Sequence, residues 1–473
     1  MCLVLGCDII AHLRYYCNAF MTKFQYSQEQ LKEICGQVLD ISKQKDGVTH
    51  ADAAISEDIT LSLSVRQNNI ENLEHAQNQG IGVTIYNGHK VGHASSADFS
   101  LNAIHNMVEA AYNIAKYTNE DPYSGLPEPE DLATEFFDCD LYHPWSIETD
   151  KAIEISKEME EELYKNKLIT NSEGCGFGSD SGHFVMANTL GFMHGYQYTK
   201  HSLWASAIAG KDDGMQSDGW SSDKRCYLML DNHLDIAKIA ANRAAQKLNA
   251  QKLTTRQCPV IFESTIARKI LSGMLSALGG RSQYQKNTFL LDSIGQKILP
   301  DFLSLYENPF VPNGLSSTPF DDDGAKVYQR YVVKDGIIQD YFLSAYSARK
   351  LGRKNTGHAG GNHNLYLQAD KSIKDFDSKV LPNLAALLKT MGTGLLVTET
   401  MGQGFNITTG DYSKGASGFW VENGVIAYPV EEITIAGNLK NMLQNIVAIS
   451  LDTYEASLNT GSILFENMSI AGI

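Results

Sequence analysis

Three dipeptides, each between two strand-like runs of residues, constrain this chain to antiparallel strand pairs. They are Asn87-Gly88, Asp335-Gly336 and Asn423-Gly424. Asparagine or aspartate followed by glycine favours a tight hairpin turn, because these residues tolerate the positive φ angles that the turn requires. The two later hairpins, VVKDGIIQDYFL and WVENGVIAYPV, have similar patterns. We therefore predict repeated strand pairs, with a glycine-rich, strand-rich C-terminal third that forms a curved or barrel-like sheet.

Segments of helical periodicity alternate with these strands. Ser27 and Gln30 are placed to form a capping box, in which each side chain hydrogen-bonds a backbone amide at the start of a helix. The period changes to two over residues 60–66, which predicts a strand, and a second helix is predicted after Ser100. The predicted inward side chains of that helix are Leu101, Ile104, Val108, Ala111 and Ile114. Helices combined with antiparallel strands predict the α+β class.

The length of the chain predicts several modules. A chain of 473 residues that is 43% hydrophobic can bury more than one core. Residues 119–132 hold three prolines and a cluster of acidic residues, a composition typical of a linker. We predict a first α+β module over 21–118, a second over 133–250, and a β-rich C-terminal domain over 251–473.

Charge and hydropathy exclude two classes of partner. The chain has 39 basic and 55 acidic residues, for a net charge of -16. Such a field repels a phosphate backbone, so we expect no nucleic-acid partner. No apolar run approaches the ~20 residues that cross a bilayer, so we expect no membrane partner. Eight cysteines without a Cys-x-x-Cys pair are typical of free thiols in a reducing cytoplasm.

Residues 1–20 are expected to form a disordered extension. Val4 to Cys7 superficially resembles a lipoprotein cleavage box. However, no basic residue precedes it, and the apolar stretch is shorter than the about 7–15 residues of a secretory signal. We interpret the segment as lying upstream of the fold, with Met21 as an alternative start.

Long motifs in the C-terminal half carry a resemblance to a known family. They are STPFDDDG (317–324), SAYSARKLG (344–352), TGHAGG (356–361), MGTGLLVTETMGQGFNITTGDYSKGASGFWVENG (391–424) and EITIAGNLKNM (432–442). The N-terminal segment ENLEHAQNQGIGVTIYNGHKVGHASSADFS (71–100) agrees with them. Together these segments resemble the PmbA/TldE family over nearly all of the chain after residue 21.

The resemblance implies a cytoplasmic, heteromeric, zinc-dependent peptidase. In that family a zinc-bearing sister subunit, TldD, supplies a His-Glu-x-x-x-His helix and a cysteine ligand. The PmbA/TldE chain pairs with it as a heterodimer or higher assembly, and a homodimer is an alternative when the chain is alone. The complex trims unfolded or modified peptides, including peptide-antibiotic precursors and antitoxins.

The zinc ligands of the sister subunit are missing from this sequence. Zinc hydrolysis needs three protein ligands, an open position for water and a carboxylate base. The helix that corresponds to the sister's motif, from Ser264 to Gly280, contains no histidine or cysteine, and Thr460 stands where the sister has cysteine. The His-Glu-x-x-His pattern is absent from the sequence. We expect neither a metal nor a catalytic residue in this chain, with zinc on the partner subunit.

The TGHAGG segment is a candidate substrate contact. His358 and His363 flank a glycine-rich stretch that includes Gly360 and Gly361. Two histidines in a loop can bind a metal, but no third ligand is near in sequence. The alternative is a loop that shapes the backbone or contacts the substrate.

A second glycine-rich segment is also a candidate. Peptidases often bind extended chains by strand addition, which requires close approach of two backbones. The predicted contacts are Gly402, Gly404, Asn406, Gly410 and Asp411, followed by Gly415 and Gly418. The alternative is that these glycines serve bulges and tight turns of a curved sheet.

Other chemistry has weaker support. Ser179 follows two glycines but lies in no Gly-x-Ser-x-Gly motif. Asp321 to Asp323 fit an acidic turn better than a cation site, because no EF-hand spacing follows. The leading hypothesis is a non-metal subunit that shapes the substrate chamber. Its alternatives are a peptidase that acts alone through an unrecognised site, and a non-enzymatic binding or regulatory protein.

Overall fold

The computed structural model describes residues 23–370, 372 and 375–473, so the predicted extension over 1–20 lies outside the described residues. The chain forms two compact units. Of the described residues, the first unit comprises 23–120, 141–209 and 217–243, and the second comprises those of 121–140, 210–216 and 244–473. The domain boundaries proposed from the sequence stay predictions.

The first unit is built on one sheet with helices packed on it. Its helices are α1 (Gln28–Lys43), α2 (Leu101–Tyr117), α3 (Thr149–Leu163) and α4 (His233–Gln246). Its strands are β1 (His50–Arg66), β2 (Asn69–Asn87), β3 (Lys90–Ser96), β4 (Ile169–Asn188), β5 (Met193–His194), β6 (Gln197–Ala209) and β7 (Gln216–Lys224). The strand order is β3-β2-β1-β4-β6-β7, with β5 beside β4. Strands from both predicted N-terminal modules therefore share one antiparallel sheet.

Capping and turn residues determine where several of these elements begin and end. Ser27 caps α1 and forms the predicted capping box with Gln30. The β2–β3 hairpin is confirmed, but Asn87 pairs with Lys90, so the central turn residues are Gly88 and His89. The expected inward face of α2 is partly wrong, because its buried stripe runs through Ile104, Met107, Val108, Ala111 and Ala115. Leu101 and Ile114 are exposed instead.

The second unit contains the larger hydrophobic core. Its helices are α5 (Ser264–Ala277), α6 (Gly280–Tyr284), α7 (Ala345–Leu351), α8 (Phe376–Lys379), α9 (Leu384–Met391) and α10 (Leu439–Gln444). Its first strands are β8 (Arg256–Phe262), β9 (Leu303–Asn308), β10 (Arg330–Lys334), β11 (Ile337–Ile338), β12 (Asn364–Ala369) and β13 (Val380–Leu381). The remaining strands are β14 (Gly394–Met401), β15 (Asp411–Glu422), β16 (Val425–Asn438), β17 (Ile446–Ser450), β18 (Leu458–Asn459) and β19 (Ile463–Ala471).

The barrel-like sheet predicted for the C-terminal region is confirmed. Strand β8 pairs with β14, β14 with β15, β15 with β16, and β16 with β19. Strand β19 pairs back with β8, which closes the ring. A second sheet has the order β11-β10-β9-β12-β18. Both predicted C-terminal hairpins are confirmed, with positive φ at Asp335, Gly336, Asn423 and Gly424. The α+β class is therefore correct.

Membrane insertion through a helix finds no support in the described residues. None of their helices is both long and apolar enough to cross a bilayer.

Candidate functional site

Two neighbouring strands of the second unit bring opposite charges together. The antiparallel register of β9 and β10 places Arg330 opposite Glu307. Nε of Arg330 lies 2.8 Å from Oε2 of Glu307, and the two side chains are 8% and 0% exposed. A buried charge is tolerated only when it is paired and hydrogen-bonded. The register of the sheet therefore supplies the partner that Glu307 needs.

Glu307 also holds the two histidines that flank the glycine-rich loop. Nε2 of His358 lies 2.9 and 3.0 Å from the two carboxylate oxygens of Glu307. His363 lies 3.1 Å from Oε1 through its Nδ1 and donates its backbone amide to the same oxygen at 3.0 Å. Nδ1 of His358 lies 3.0 Å from the hydroxyl of Thr356. The side chains of Glu307, Arg330, His358 and His363 thus form one buried group, which we call the Glu307 cluster.

Burial and the arginine fix the charges of the Glu307 cluster. Burial raises the pKa of Glu307, but hydrogen bonds from His358 and His363 and the charge of Arg330 outweigh it and hold that pKa well below its usual range. Burial lowers the pKa of His358 to about 4, against the opposing hydrogen bond to Glu307. At neutral pH His358 is therefore uncharged, with Nε2–H donated to the carboxylate. Arg330 balances the charge of Glu307.

The STPFDDDG segment anchors the TGHAGG loop. Oδ2 of Asp321 accepts a hydrogen bond from the amide of Ala359 at 3.0 Å, and Oδ1 accepts two more from amides of its own turn. Gly360 has a φ of 90°, and a Cβ added there would lie 2.2 Å from Oδ2 of Asp322. Two segments that carry the family resemblance thus pack on each other, and conformation and space both require glycine at 360.

The TGHAGG loop borders a cavity of about 410 Å³ within the second unit. The loop contributes His358 and Gly361, followed by Asn362, and the other walls come from the end of α5, from α6 and from the start of α7. This volume lies within the ~300–1,000 Å³ of typical ligand sites. Gly360 and His363 do not line the cavity, so two of the four candidate residues face it and two lie behind it.

The second glycine-rich segment lies elsewhere in the unit. None of Gly402, Gly404, Asn406, Gly410 and Asp411 lines the cavity. They lie between β14 and β15 or at the start of β15, where the side chains of Asn406 and Asp411 accept hydrogen bonds within the same loop.

The glycines of that segment accommodate the protein's own backbone. A Cβ added to Gly404 would lie 1.5 Å from the carbonyl oxygen of Ser413. The following strand, β15, is hydrogen-bonded to β14 on one side and β16 on the other. A strand paired on both sides has no free edge for a peptide to join. The packing therefore favours tight turns and close backbone contacts over strand addition.

The two segments in which the family resemblance would place zinc ligands, helix α5 and the residues around Thr460, lie next to each other. Helix α5 directly follows β8, and the amide of Ser264 donates to Oγ of Ser462 at 3.1 Å. This contact brings residues 460–462 to the start of α5. The helix carries no histidine, cysteine, aspartate or glutamate, and the Thr460 hydroxyl donates to the carbonyl of Gly461. These residues do not fit a zinc ion, which requires such side chains as ligands.

The Glu307 cluster contains the ligand types of a metal site. Among the described residues, it is the group in which one carboxylate and two imidazoles bring their ligand atoms close together. However, Nη2 of Arg330 lies 3.2 Å from Nε2 of His358, and the same guanidinium is paired with Glu307. Arginine stays charged in proteins, so it would repel a dication at this position. The cluster therefore does not suit zinc either.

Ser179, which the sequence left without a base, has a histidine beside it in the first unit. Strands β4 and β6 pair Ser179 with His201, and the hydroxyl lies 3.0 Å from Nδ1. Nε2 of His201 lies 2.9 Å from the carbonyl oxygen of His143, so Nε2 carries the proton and Nδ1 accepts from the hydroxyl. Ser179 also lines a separate cavity of about 330 Å³.

Sequence reasoning missed Glu307 and Arg330. Neither lies in a segment that carries the family resemblance. The available signal was a carboxylate on an otherwise buried strand, since such a charge needs a partner.

Comparisons with known proteins agree with this architecture. Residues 51–115, 142–248 and 255–472 match domain 1, the central domain and the C-terminal domain of the PmbA/TldA metallopeptidases. The chain is 42% identical over 455 residues to metalloprotease PmbA of Escherichia coli O157:H7, covering 96% of this chain and 98% of that one. A metalloprotease PmbA homolog of Haemophilus influenzae is 42% identical over 424 residues, covering 89% and 92%.

A solved structure shares the fold. The crystal structure of TldE from Thermococcus kodakarensis superposes with a TM-score of 0.80 at 20% identity, covering 93% of this chain and all of that one. The matched domains and identities define a peptidase family. This chain belongs to the PmbA/TldD metallopeptidase family.

Proposed function

We propose that this chain is the non-metal, TldE-type subunit of a cytoplasmic zinc-dependent peptidase. In this proposal a TldD-like partner carries the zinc and the catalytic residues. This chain completes the substrate chamber and binds unfolded or modified peptides, such as peptide-antibiotic precursors and antitoxins. Its own contribution is substrate positioning, because hydrolysis needs the scissile bond held about 3–3.5 Å from the attacking water.

The observation that carries the proposal is the pairing of α5 with residues 460–462. The hydrogen bond from Ser264 to Ser462 joins the two segments that hold the zinc ligands in the sister, and neither segment offers a ligand. The Glu307 cluster also has side chains of the kinds that bind metals, but it already contains the positive charge of Arg330. Membership of a metallopeptidase family together with this ligand loss supports a division of labour between two chains.

The cavity beside the TGHAGG loop supports the positioning role. Glu307 holds the loop through hydrogen bonds with His358 and His363. Asp321 holds it through a hydrogen bond from the amide of Ala359. A loop held at both ends loses little entropy when a ligand binds, which favours affinity. We assign this cavity as the part of the chamber that this chain contributes.

The test is cleavage of an unstructured peptide by this chain, by the zinc-bearing relative from the same organism, and by both together. We expect cleavage by the mixture alone and its loss with a chelator. Co-purification of the two chains with one zinc per pair is the expected companion result. Strong cleavage by this chain alone, unaffected by chelator, would contradict the proposal.

A second candidate function, hydrolysis by this chain itself, rests on Ser179 and His201. A neutral histidine that accepts a hydrogen bond from a serine hydroxyl is the arrangement of a general base beside a nucleophile. Burial lowers the pKa of His201, which keeps it uncharged at neutral pH. Under this function, Ser179→Ala would abolish any chelator-resistant hydrolysis, whereas Ser181→Ala, in the same cavity, would preserve it. Equal effects of the two variants would exclude it.

A further inference from the structure

The cavity beside the TGHAGG loop is free of acidic side chains. Among its described lining residues there is no aspartate or glutamate, although the chain carries a net charge of -16. Arg281, an exposed residue of α6, lines this cavity and carries a positive charge. No described carboxylate pairs with its guanidinium. The cavity therefore presents a local positive charge in an acidic protein, and such a charge attracts an anion.

Two neutral hydrogen-bond donors stand at the same cavity. The hydroxyl of Tyr284 and the side-chain amide of Asn362 both line it, and neither has a described hydrogen-bond partner. The ring of Tyr284 is held edge-on against Tyr346 at 5.8 Å between centroids, which limits where its hydroxyl can point. An arginine fork with two further donors matches the oxygens of a carboxylate, since guanidinium and carboxylate form bidentate pairs.

Two of the carboxylates near the cavity are already paired with cations. Asp121 lies behind Tyr346 and accepts its hydroxyl at 2.7 Å, and Lys350 lies 3.5 Å from the same carboxylate. Glu307 lies behind His358 and is paired with Arg330. Neither carboxylate lines the cavity, so neither competes there for Arg281.

We propose that this cavity binds the C-terminal carboxylate of a peptide, with Arg281 as the anchoring residue and Tyr284 and Asn362 as additional donors. The proposal rests on the proposed function, and it specifies which part of the substrate this chain holds. A linear peptide with an unmodified C-terminus carries a terminal carboxylate whatever its residues are, so this contact is independent of sequence. The rings of Phe342, Tyr284 and Tyr346 provide apolar surface for the last side chain. A subunit that holds the free end would admit peptide fragments and reject closed loops of folded proteins.

The test is binding of fluorescein-labelled five-residue peptides to the full chain, alone and in complex with the zinc-bearing partner. The first peptide ends in phenylalanine with a free carboxylate, and the second is its C-terminal amide. The third is an amide whose last residue is glutamate, which moves the carboxylate to a side chain. We expect the first peptide to bind at least about tenfold more tightly than the second, as one charge-assisted contact allows. The third should bind like the second.

Variants assign the contact to Arg281. In Arg281→Gln the preference for the free carboxylate should fall below about twofold. Lys269→Gln removes an exposed charge from α5 outside the cavity and should keep the full preference. Equal binding of acid and amide by the natural chain would overturn this inference and leave the proposed function standing. Equal binding of the glutamate amide and the acid would assign the site to acidic side chains instead. Failure of every peptide to bind would overturn both.

Discussion

Arg330 lies across from Glu307 in the β9–β10 ladder, and its guanidinium reaches on to Nε2 of His358 at 3.2 Å. Glu307 and the two histidines present the atoms that metal ligands would present, and the protein places its own cation beside them. The Glu307 cluster thereby holds the TGHAGG loop through its own side chains. The anchor that Glu307 gives to the loop therefore depends on this buried ion pair, beside the separate anchor that Asp321 gives through Ala359.

Replacing the arginine of this pair should destabilise the second unit. Arg330→Met leaves the Glu307 carboxylate buried without its partner, and we expect a loss of about 3–5 kcal/mol in the free energy of unfolding. Urea denaturation measures it. The matched control is Arg353→Met, which removes an exposed arginine paired with Asp340 and should cost about 0–1 kcal/mol. Equal stabilities of the two variants would show that the buried pair is not needed.

The isolated chain should carry no stoichiometric zinc. Helix α5 and Thr460 provide no ligands, and Arg330 repels a dication from the Glu307 cluster. Metal analysis of the protein purified without chelator measures this directly. About one zinc per chain, lost in both His358→Ala and His363→Ala, would show that the cluster is a metal site.

The sequence predicts local features of this fold well and non-local ones poorly. The hairpins at Asp335-Gly336 and Asn423-Gly424 depend on the φ preferences of two adjacent residues, so they are readable from the sequence. The inward face of α2 is predicted only in part, because the apolar residues Leu101 and Ile114 are exposed outside the buried stripe. Leu101 lies in the first turn and is exposed, whereas Met107 and Ala115 complete the buried stripe.

In the candidate site, too, the local features are visible in the sequence and the non-local contacts are not. The histidines of the TGHAGG loop are visible in the sequence as a pair, but Glu307 is 51 residues from His358 in the chain. Their contact depends on the register of β9 with β10 and β12, which no short motif encodes. Arg281 was missed because an exposed arginine becomes informative only when its cavity is known to lack acids.

Glycine at position 360 should be required for more than its φ angle. Gly360 and Gly361 have φ angles of 90° and 128°, so alanine is strained at both positions. Only at 360 does the added Cβ meet a neighbour, Oδ2 of Asp322 at 2.2 Å, whereas nothing lies within 4 Å at 361. We expect Gly360→Ala to lower the free energy of unfolding by at least about 1 kcal/mol more than Gly361→Ala, because the steric clash adds to the strain. Equal urea midpoints and slopes would refute this packing.

The pH dependence of stability should report the anchor between Asp321 and the TGHAGG loop. Burial raises the pKa of Asp321 to about 7 from an ordinary value of 3.8, and the nearby charge of Asp323 adds to this effect. Between these two values the folded state binds the proton more tightly than the unfolded state, so Asp321 makes the protein less stable as pH rises from about 4 to 7. A difference of about three between two pKa values corresponds to on the order of 4 kcal/mol at most.

His358 acts in the opposite direction over part of the same range. Its pKa is lowered to about 4 from 6.5, so the unfolded state binds the proton more tightly and the contribution of His358 to stability is lost as pH falls from about 6.5 to 4. The natural chain should therefore show a flattened profile, in which the two contributions partly cancel. In Asp321→Asn the falling contribution of Asp321 is removed, so between about pH 4 and 6.5 the slope of the free energy of unfolding against pH should be more positive than in the natural chain. Urea denaturation of both proteins across this range measures the difference, and parallel profiles would show that Asp321 does not titrate differently on folding.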